Sequence, residues 1–258
     1  MEINTVDATN RESQNIKTDY ILGARRKTID PEMSDFKMYW DFLNFAQKSV
    51  SHEHYLRYCQ TVSLICRKLE YSVLNSGFRV LETGGLSLVA EFLADRGCDV
   101  SGTTSDLRYS IDAPSGEADL VLSLEVIEHL KDQAETSFSE VPLFQMSGVK
   151  NYLSEIKRVV AKDGLLMITT PNPCSVRSIQ NIISFKPPEI FRPHVREYTR
   201  DELYDLLNNS GFEVIDYGTN NSFFNILGIQ NSDKLISELF EGDLSGRGDD
   251  HFLFAKNA

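Results

Sequence analysis

Two glutamates and a histidine stand close together in the run Glu125-Val-Ile-Glu128-His129. They follow the apolar stretch Ala118 to Leu124, which predicts a buried strand. Residues at positions i, i+3 and i+4 share one helix face, so a helix that begins here would bring the three side chains together. Two carboxylates and an imidazole are costly to bury unpaired. Mixed oxygen and nitrogen ligands suit a divalent cation such as Mg²⁺, Mn²⁺, Fe²⁺ or Zn²⁺.

A second chemical feature is the turn Glu82-Thr-Gly84-Gly85, at the end of another predicted strand. Glycines at such a turn let a ligand approach the backbone at the start of the next helix. The dinucleotide fingerprint G-x-G-x-x-G fails, because Leu86 and Val89 stand where its later glycines belong. The turn therefore disfavours a pyrophosphate cradle, and NAD with it.

The elements that must position these residues alternate between short apolar strands and helices. Predicted strands cover 78–83, 98–103, 118–124, 165–170, 212–217 and 251–255, and predicted helices include 88–96, one that ends at 162–164, and one that a capping box at Thr199 opens and Gly211 ends. This alternation implies crossover connections and a mostly parallel sheet with helices on both faces. Ligands of such α/β sheets bind beyond the carboxyl ends of the strands, where both chemical features lie.

The glycine turn resembles motif I of class I S-adenosylmethionine (SAM) methyltransferases, and the likeness extends over most of residues 75–258. Four further runs resemble that family in the same order: DLVLSLEVIEHL, GLLMITTPNP, REYTRDEL and HFLFAK. The resemblance implies SAM as the cofactor. It also implies a Rossmann-like α/β methyltransferase sheet that is mostly parallel, with its last strand antiparallel.

The SAM-binding residues that the resemblance implies follow three strands: Glu82, Thr83, Gly84, Gly85, Thr104, Asp106, Arg108, Leu124 and Glu125. Two positions depart from the family pattern, since Leu86 replaces a second glycine and Thr104 replaces the acid that usually binds the ribose. Asp106 begins a DLRY run that resembles a branch with a displaced acid, so we assign the ribose role to Asp106. The alternative is that Asp106 and Arg108 form a pair that stabilises a loop.

The E-x-x-E-H run resembles two groups of metal-dependent O-methyltransferases, those that modify the 3′ end of small RNAs and those of the ubiquinone pathway. In the RNA enzymes a later histidine completes the metal site, and His194 stands at the matching place. The resemblance implies Glu125, Glu128, His129 and His194 as ligands of Mg²⁺ or Mn²⁺. It also implies catalytic roles for Glu128, His129 and His194. A metal-free active-site cluster and a purely structural cluster remain as alternatives.

The rest of the chain divides into segments by composition. We expect a polar arm over 1–34, a helical segment over 35–77 and the SAM-binding domain over 78–258, with a lid-like insertion at about 172–198. The net charge of −12 disfavours nucleic acid as a partner, because phosphates are repelled. Because the sequence starts with polar residues and has no long apolar run, we expect no leader peptide and no membrane span. Four cysteines without a C-x-x-C pair suit a cytoplasmic protein.

These observations predict a SAM-dependent O-methyltransferase, assisted by a divalent metal, that acts on a hydroxyl of a small polar acceptor. A sugar or glycan unit is the preferred acceptor, because a cation that clamps neighbouring oxygens favours a vicinal diol. Lys186, Arg192 and Arg196 make the insertion locally basic, which suits an acidic or phosphate-bearing acceptor. An RNA 2′-O-methyltransferase and a non-catalytic methyltransferase-like subunit are the alternatives. No oligomeric state is predicted.

Overall fold

A computed structural model of the chain describes residues 41–42, 44–46, 55–69, 74, 77–132, 147–188, 193–220 and 246–258. The predicted polar arm lies outside the described residues, and the predicted helical segment 35–77 is described only in part. Its boundary with the domain that follows stays a prediction. None of the described helices is long and apolar enough to cross a membrane.

Strands and helices alternate along the described chain. In order they are α1 (Tyr55–Lys68), β1 (Arg79–Thr83), α2 (Leu88–Asp95), β2 (Asp99–Gly102), β3 (Ala118–Leu124), a 3₁₀ turn (Ile127–His129), α3 (Ser147–Val159), β4 (Val160–Pro171), α4 (Val176–Ile183), α5 (Arg200–Asn209), β5 (Phe212–Asn220) and β6 (Asp250–Asn257). This alternation matches the predicted pattern of crossover units.

The described strands form one six-stranded sheet in the order β2-β1-β3-β4-β6-β5. The pairs β1–β2, β1–β3 and β3–β4 are parallel, whereas β6 runs antiparallel to both β4 and β5. The prediction of a mostly parallel sheet with an antiparallel last strand is confirmed.

Apolar side chains cover both faces of the sheet. Leu120 and Leu122 of β3 pack into a cluster that contains residues of α1 and α2. Val121, between them, packs into a second cluster that contains residues of α3 and α5. Because successive side chains of a strand point to opposite faces, a strand buried on both sides is apolar throughout. The continuous apolar run of β3 thus places it at the centre of the sheet.

The helix predicted to run to Gly164 ends earlier than expected. It ends at Val159, and Val160 already belongs to β4. The register between β3 and β4 shifts between Ala118 and Leu120, which accommodates an irregular start of β4, and Asp163 there has a φ of 62°. The two neighbouring valines suit a helix and a strand equally, so the apolar pattern alone does not mark this boundary.

The start of α5 is fixed by the predicted capping box. The Thr199 hydroxyl accepts a hydrogen bond from the Glu202 amide at 3.4 Å, and the Thr199 amide donates to the Glu202 carboxylate at 2.9 Å. Arg196 also pairs with Glu202. These contacts anchor the C-terminal end of the segment 193–199, which contains His194.

Thr199→Ala should lower the free energy of unfolding by about 1 kcal/mol, because an amide at the start of α5 loses its acceptor. Urea denaturation measures this loss. Thr104→Ala is the matched control, since Thr104 is exposed and lies outside the helices. Equal losses in the two variants would contradict the capping role.

Candidate functional site

The carboxyl ends of β1, β3 and β4 lie side by side at one edge of the sheet. Thr83 is opposite Ser123, and Leu124 is opposite Thr169. The glycine turn after β1 also touches the segment after β3, since a Cβ on Gly84 would lie only 2.7 Å from Val126 Cγ2. The two chemical features that the sequence singles out are therefore in direct contact.

The turn after β1 exposes its backbone. Gly84 and Gly85 are exposed and have φ values of 84° and 114°, a region that favours glycine. The buried Glu82 carboxylate accepts a hydrogen bond from the Ser87 amide at 2.6 Å. Burial raises the pKa of Glu82 to about 7. Glu82 thus organises the turn, and the glycines leave room for a ligand.

The side chain of Thr83 points away from this turn. Its hydroxyl donates to the Leu122 carbonyl at 3.2 Å and lies 2.5 Å from the Tyr152 hydroxyl, which donates to Ser123 Oγ at 2.8 Å. All of these hydroxyl-bearing side chains are buried. Only the backbone of Thr83 is therefore available to contact SAM. The hydroxyl network joins the ends of β1 and β3.

The loop after β2 holds the residues proposed for the ribose. Arg108 binds the Asp106 carboxylate through Nη2 at 2.7 Å and Nε at 3.0 Å, and it holds the pKa of Asp106 below its usual value. Thr104 is exposed. This geometry is that of the loop-stabilising alternative, so the ribose role of Asp106 stays a prediction. Leu86, which replaces a glycine of the family pattern, is half exposed, and its side chain covers Gly102.

Three of the four predicted metal ligands come together at this edge. Within the described part of the chain, Glu128, His129 and His194 each offer a ligand atom within 4.8 Å of the others. Glu128 Oε1 lies 3.8 Å from His129 Nε2 and 4.0 Å from His194 Nε2. The two imidazole rings meet edge to face, with their centroids 4.8 Å apart.

Neighbouring residues hold these side chains in place. Glu128 Oε2 accepts a hydrogen bond from the Thr170 hydroxyl at 2.9 Å. His194 Nδ1 lies 2.9 Å from a Glu197 oxygen, which leaves Nε2 on the side of Glu128. The amides of Val195 and Arg196 donate to the Glu128 carbonyl at 2.8 and 3.2 Å. A carboxylate that orients the far nitrogen of a histidine is a common support for a metal ligand.

The electrostatics of the cluster centre on Glu128. Its side chain is fully buried, and Oε1 has no hydrogen-bond partner among the described residues. Burial, and then the charge of Glu125, raise the pKa of Glu128 to about 8. Burial and the neighbouring His194 lower the pKa of His129. An unpaired buried carboxylate oxygen beside two imidazoles fits a divalent cation.

Glu125 does not share a helix face with Glu128 and His129, and the prediction that it does is wrong. Its amide donates to the Thr169 carbonyl at 2.9 Å, which extends the pairing of β3 with β4. The chain then turns at Glu125, whose φ is 59°, and the short 3₁₀ turn begins only at Ile127. Glu125 Oε2 lies 3.1 Å from Arg57 Nη1 on α1, and Glu125 is outside the group of Glu128, His129 and His194.

The sequence reasoning missed three residues that support the site. Thr170 and Glu197 hold Glu128 and His194, and Arg57 pairs with Glu125. The signal for Thr170 was its place at the end of a predicted strand, and that for Glu197 was its spacing of three residues from His194. No sequence signal joins Arg57 to Glu125, because the contact is between distant parts of the chain.

The free energy of unfolding of Glu82→Gln should increase relative to that of the parent chain as the pH rises. The pKa of Glu82 is raised in the folded state, so ionising this side chain costs folding stability between its ordinary value of 4.5 and about 7. Glutamine keeps an acceptor oxygen for the Ser87 amide and avoids this cost, which is on the order of 3 kcal/mol at full ionisation. Urea unfolding at about pH 5 and about pH 8 measures the difference. A stability difference between variant and parent that is the same at both pH values would contradict the prediction.

Known proteins resemble this chain in sequence and in fold. A family model described as "Methyltransferase domain" matches residues 52–217. A protein of Mycolicibacterium smegmatis named "probable S-adenosylmethionine-dependent methyltransferase" is 33% identical over 106 residues, which cover 40% of this chain and 32% of that protein. A protein of Mycobacterium tuberculosis with the same description is 34% identical over 102 residues, covering 38% and 28%. The chain thus spans about a third of the length of the curated relatives it matches.

A solved structure resembles this chain in its fold. The SAM-dependent methyltransferase of Archaeoglobus fulgidus superposes with a TM-score of 0.52 at 16% identity, over 79% of this chain and 94% of that one. At this identity the likeness concerns the fold alone. The family model, by contrast, covers more than half of the chain. Together with the observed sheet, this match shows that the chain belongs to the class I SAM-dependent methyltransferase family.

Proposed function

We propose that this chain transfers the methyl group of SAM to a hydroxyl oxygen of a small polar acceptor. The observation that carries the proposal is the contact between Gly84 and Val126, which joins the glycine turn to the segment that bears Glu128 and His129. SAM supplies a methyl group on a positively charged sulfur. The chain's part is to align this methyl group with the acceptor oxygen, and alignment alone accounts for much of such a rate enhancement.

The cluster of Glu128, His129 and His194 is the proposed place for the acceptor oxygen. A divalent cation held by these residues would act as a Lewis acid and lower the pKa of a hydroxyl bound to it. Thr170 and Glu197 would keep Glu128 and His194 in position for this role. The high pKa of Glu128 means that its proton competes with the cation for the same carboxylate.

A metal-free version of the same proposal gives the cluster a different role. His129 is the more exposed of the two histidines, with 42% of its side chain accessible against 7% for His194. Its lowered pKa favours the neutral imidazole, which accepts a proton from an incoming hydroxyl. Chelation distinguishes the two versions, because only the first depends on a cation.

A sugar or glycan unit remains the acceptor that we propose. Vicinal hydroxyls are common in sugars and suit a cation with open coordination positions. Lys186 is exposed in the lid-like insertion, while Arg196 is engaged with Glu202, and Arg192 lies outside the described residues. The cluster of Glu128, His129 and His194 also supports RNA as an acceptor, but the net charge of −12 opposes RNA binding. Binding of a short RNA that weakens steeply with added salt would favour the RNA alternative.

Gly84→Ala should weaken SAM binding by about tenfold or more. The added Cβ would meet Val126 at 2.7 Å and sit on a left-handed backbone, so the turn must shift. Gly116→Ala is the matched control, because Gly116 also has a positive φ of 69° but has nothing within 4 Å of its Cβ position. Titration calorimetry measures both affinities. If the parent chain gives no heat with SAM, the proposed function fails and the non-catalytic alternative stands.

Glu128→Gln and His194→Ala should each weaken Mn²⁺ binding by at least about tenfold while leaving SAM affinity nearly intact. The reason is that each removes one ligand and lies outside the glycine turn. Calorimetry with Mn²⁺ measures the loss, and Glu117→Gln, which removes an exposed carboxylate elsewhere, is the control. EDTA should abolish methyl transfer by the parent chain. Full activity in EDTA would exclude the cation and leave the metal-free version.

A further inference from the structure

His251 of β6 is a buried histidine that the proposed chemistry does not use. It is 1% exposed, and both of its ring nitrogens have partners. Nε2 lies 3.0 Å from the Tyr198 carbonyl, and Nδ1 lies 3.0 Å from the Tyr217 hydroxyl on β5. The imidazole therefore connects the sheet to the segment 193–199, which carries His194.

The two partners of His251 determine which nitrogen holds its proton. A carbonyl oxygen can only accept a hydrogen bond, so Nε2 carries the hydrogen that it shares with Tyr198. Burial lowers the pKa of His251 to about 4, so the ring is neutral near neutral pH and Nδ1 has no hydrogen. The Tyr217 hydroxyl then donates to Nδ1. Tyr217 is itself packed edge to face against Tyr204 of α5, with the ring centroids 5.8 Å apart.

Contacts at its start, middle and end bind the segment 193–199 to the rest of the fold. At the start, two amides of the segment donate to the Glu128 carbonyl at 2.8 and 3.2 Å, and at the end the capping box holds Thr199. The bond from His251 to the Tyr198 carbonyl is the contact in the second half of the segment that comes from β6. Each contact therefore restricts a different part of the segment.

The peptide unit between Tyr198 and Thr199 is held on both of its sides. Its carbonyl accepts the bond from His251, and its amide donates to the Glu202 carboxylate at 2.9 Å. A peptide unit is planar and rigid, so these two bonds together fix its orientation. The direction in which the chain continues from Tyr198 back to Glu197 is fixed with it.

Glu197 connects this peptide unit to His194. A Glu197 carboxylate oxygen lies 2.9 Å from His194 Nδ1, and His194 Nε2 is on the side of Glu128. The side chains of His194 and Glu197 are only 7% and 6% exposed, so their contact is shielded from water. A change in the backbone at Tyr198 would therefore move the carboxylate that orients His194.

We propose that His251 is a positioning residue for the candidate site. Through the Tyr198 carbonyl and Glu197, it sets where the imidazole of His194 lies relative to Glu128. Without a donor at residue 251 the peptide unit after Tyr198 is held on one side only, and His194 Nε2 shifts from its place. The displacement follows from the contacts alone, whereas its importance for methyl transfer rests on the proposed function.

Histidine NMR spectra of the full chain, recorded without metal or SAM, test the positioning. His251→Phe removes both ring nitrogens but keeps a planar ring, and it should shift the ring signals of His194, which His194→Ala identifies. His251→Gln keeps an N–H for the Tyr198 carbonyl and should bring these signals back close to those of the parent. Asn257→Ala is the matched control, because Asn257 donates from the opposite end of β6 to the Ala161 carbonyl at 2.8 Å. It should lower the thermal stability and leave the His194 signals in place.

Titration calorimetry relates the displacement to ligand binding. His251→Phe should bind Mn²⁺ about tenfold more weakly than the parent, while its affinity for SAM stays within about twofold. Asn257→Ala should bind both ligands like the parent, because a loss of stability alone does not separate the two affinities. If His251→Phe does not fold, Tyr217→Phe takes its place, since it removes only the hydroxyl that donates to Nδ1. The signals of His251 and His194 should then both shift.

Two results would overturn the positioning role. One is a folded His251→Phe, or Tyr217→Phe in its place, whose His194 signals match those of the parent. The other is an equal shift of those signals in Asn257→Ala. The NMR measurement contains neither SAM nor Mn²⁺, so it is independent of the proposed function. A parent chain that binds no Mn²⁺ would contradict the metal-assisted version of that function and leave the NMR result standing.

Discussion

A buried carboxylate with one unpaired oxygen is the constraint on which the candidate site depends. Glu128 is bonded through Oε2 to Thr170, and its Oε1 points toward two imidazoles that lie beyond hydrogen-bond distance. In surroundings of low dielectric constant such an oxygen must hold a proton or meet a cation. A protonated Glu128 can donate a proton, and an ionised Glu128 can bind a cation, so either state is chemically useful.

The backbone joins the parts of the site more than the side chains do. The glycine turn contacts Val126, the amide of Glu125 extends the ladder between β3 and β4, and the carbonyl of Glu128 accepts two amides from the segment 193–199. These contacts fix the relative positions of three strand ends before any ligand binds. Preorganisation of this kind is what a reaction driven by alignment requires.

The sequence predicts what is set locally or by repeated pattern. The apolar run of β3, the capping box at Thr199 and the alternation of strands with helices each follow from neighbouring residues, and the antiparallel last strand follows from the family resemblance. Contacts across the fold could not be predicted, as with the pair of Arg57 and Glu125. The left-handed turn at Glu125 was also missed, because a glutamate does not signal a positive φ.

The place of β6 within the sheet governs the order in which the molecule is assembled. Among the described strands β5 pairs with β6 alone, and β6 inserts between β5 and β4. During synthesis β5 emerges before β6 and has no described strand to join, so the edge of β4 stays open until β6 docks. His251 of β6 donates to the carbonyl of Tyr198, in the segment that carries His194. A nascent chain that stalls before β6 therefore lacks this tether on the segment that carries His194.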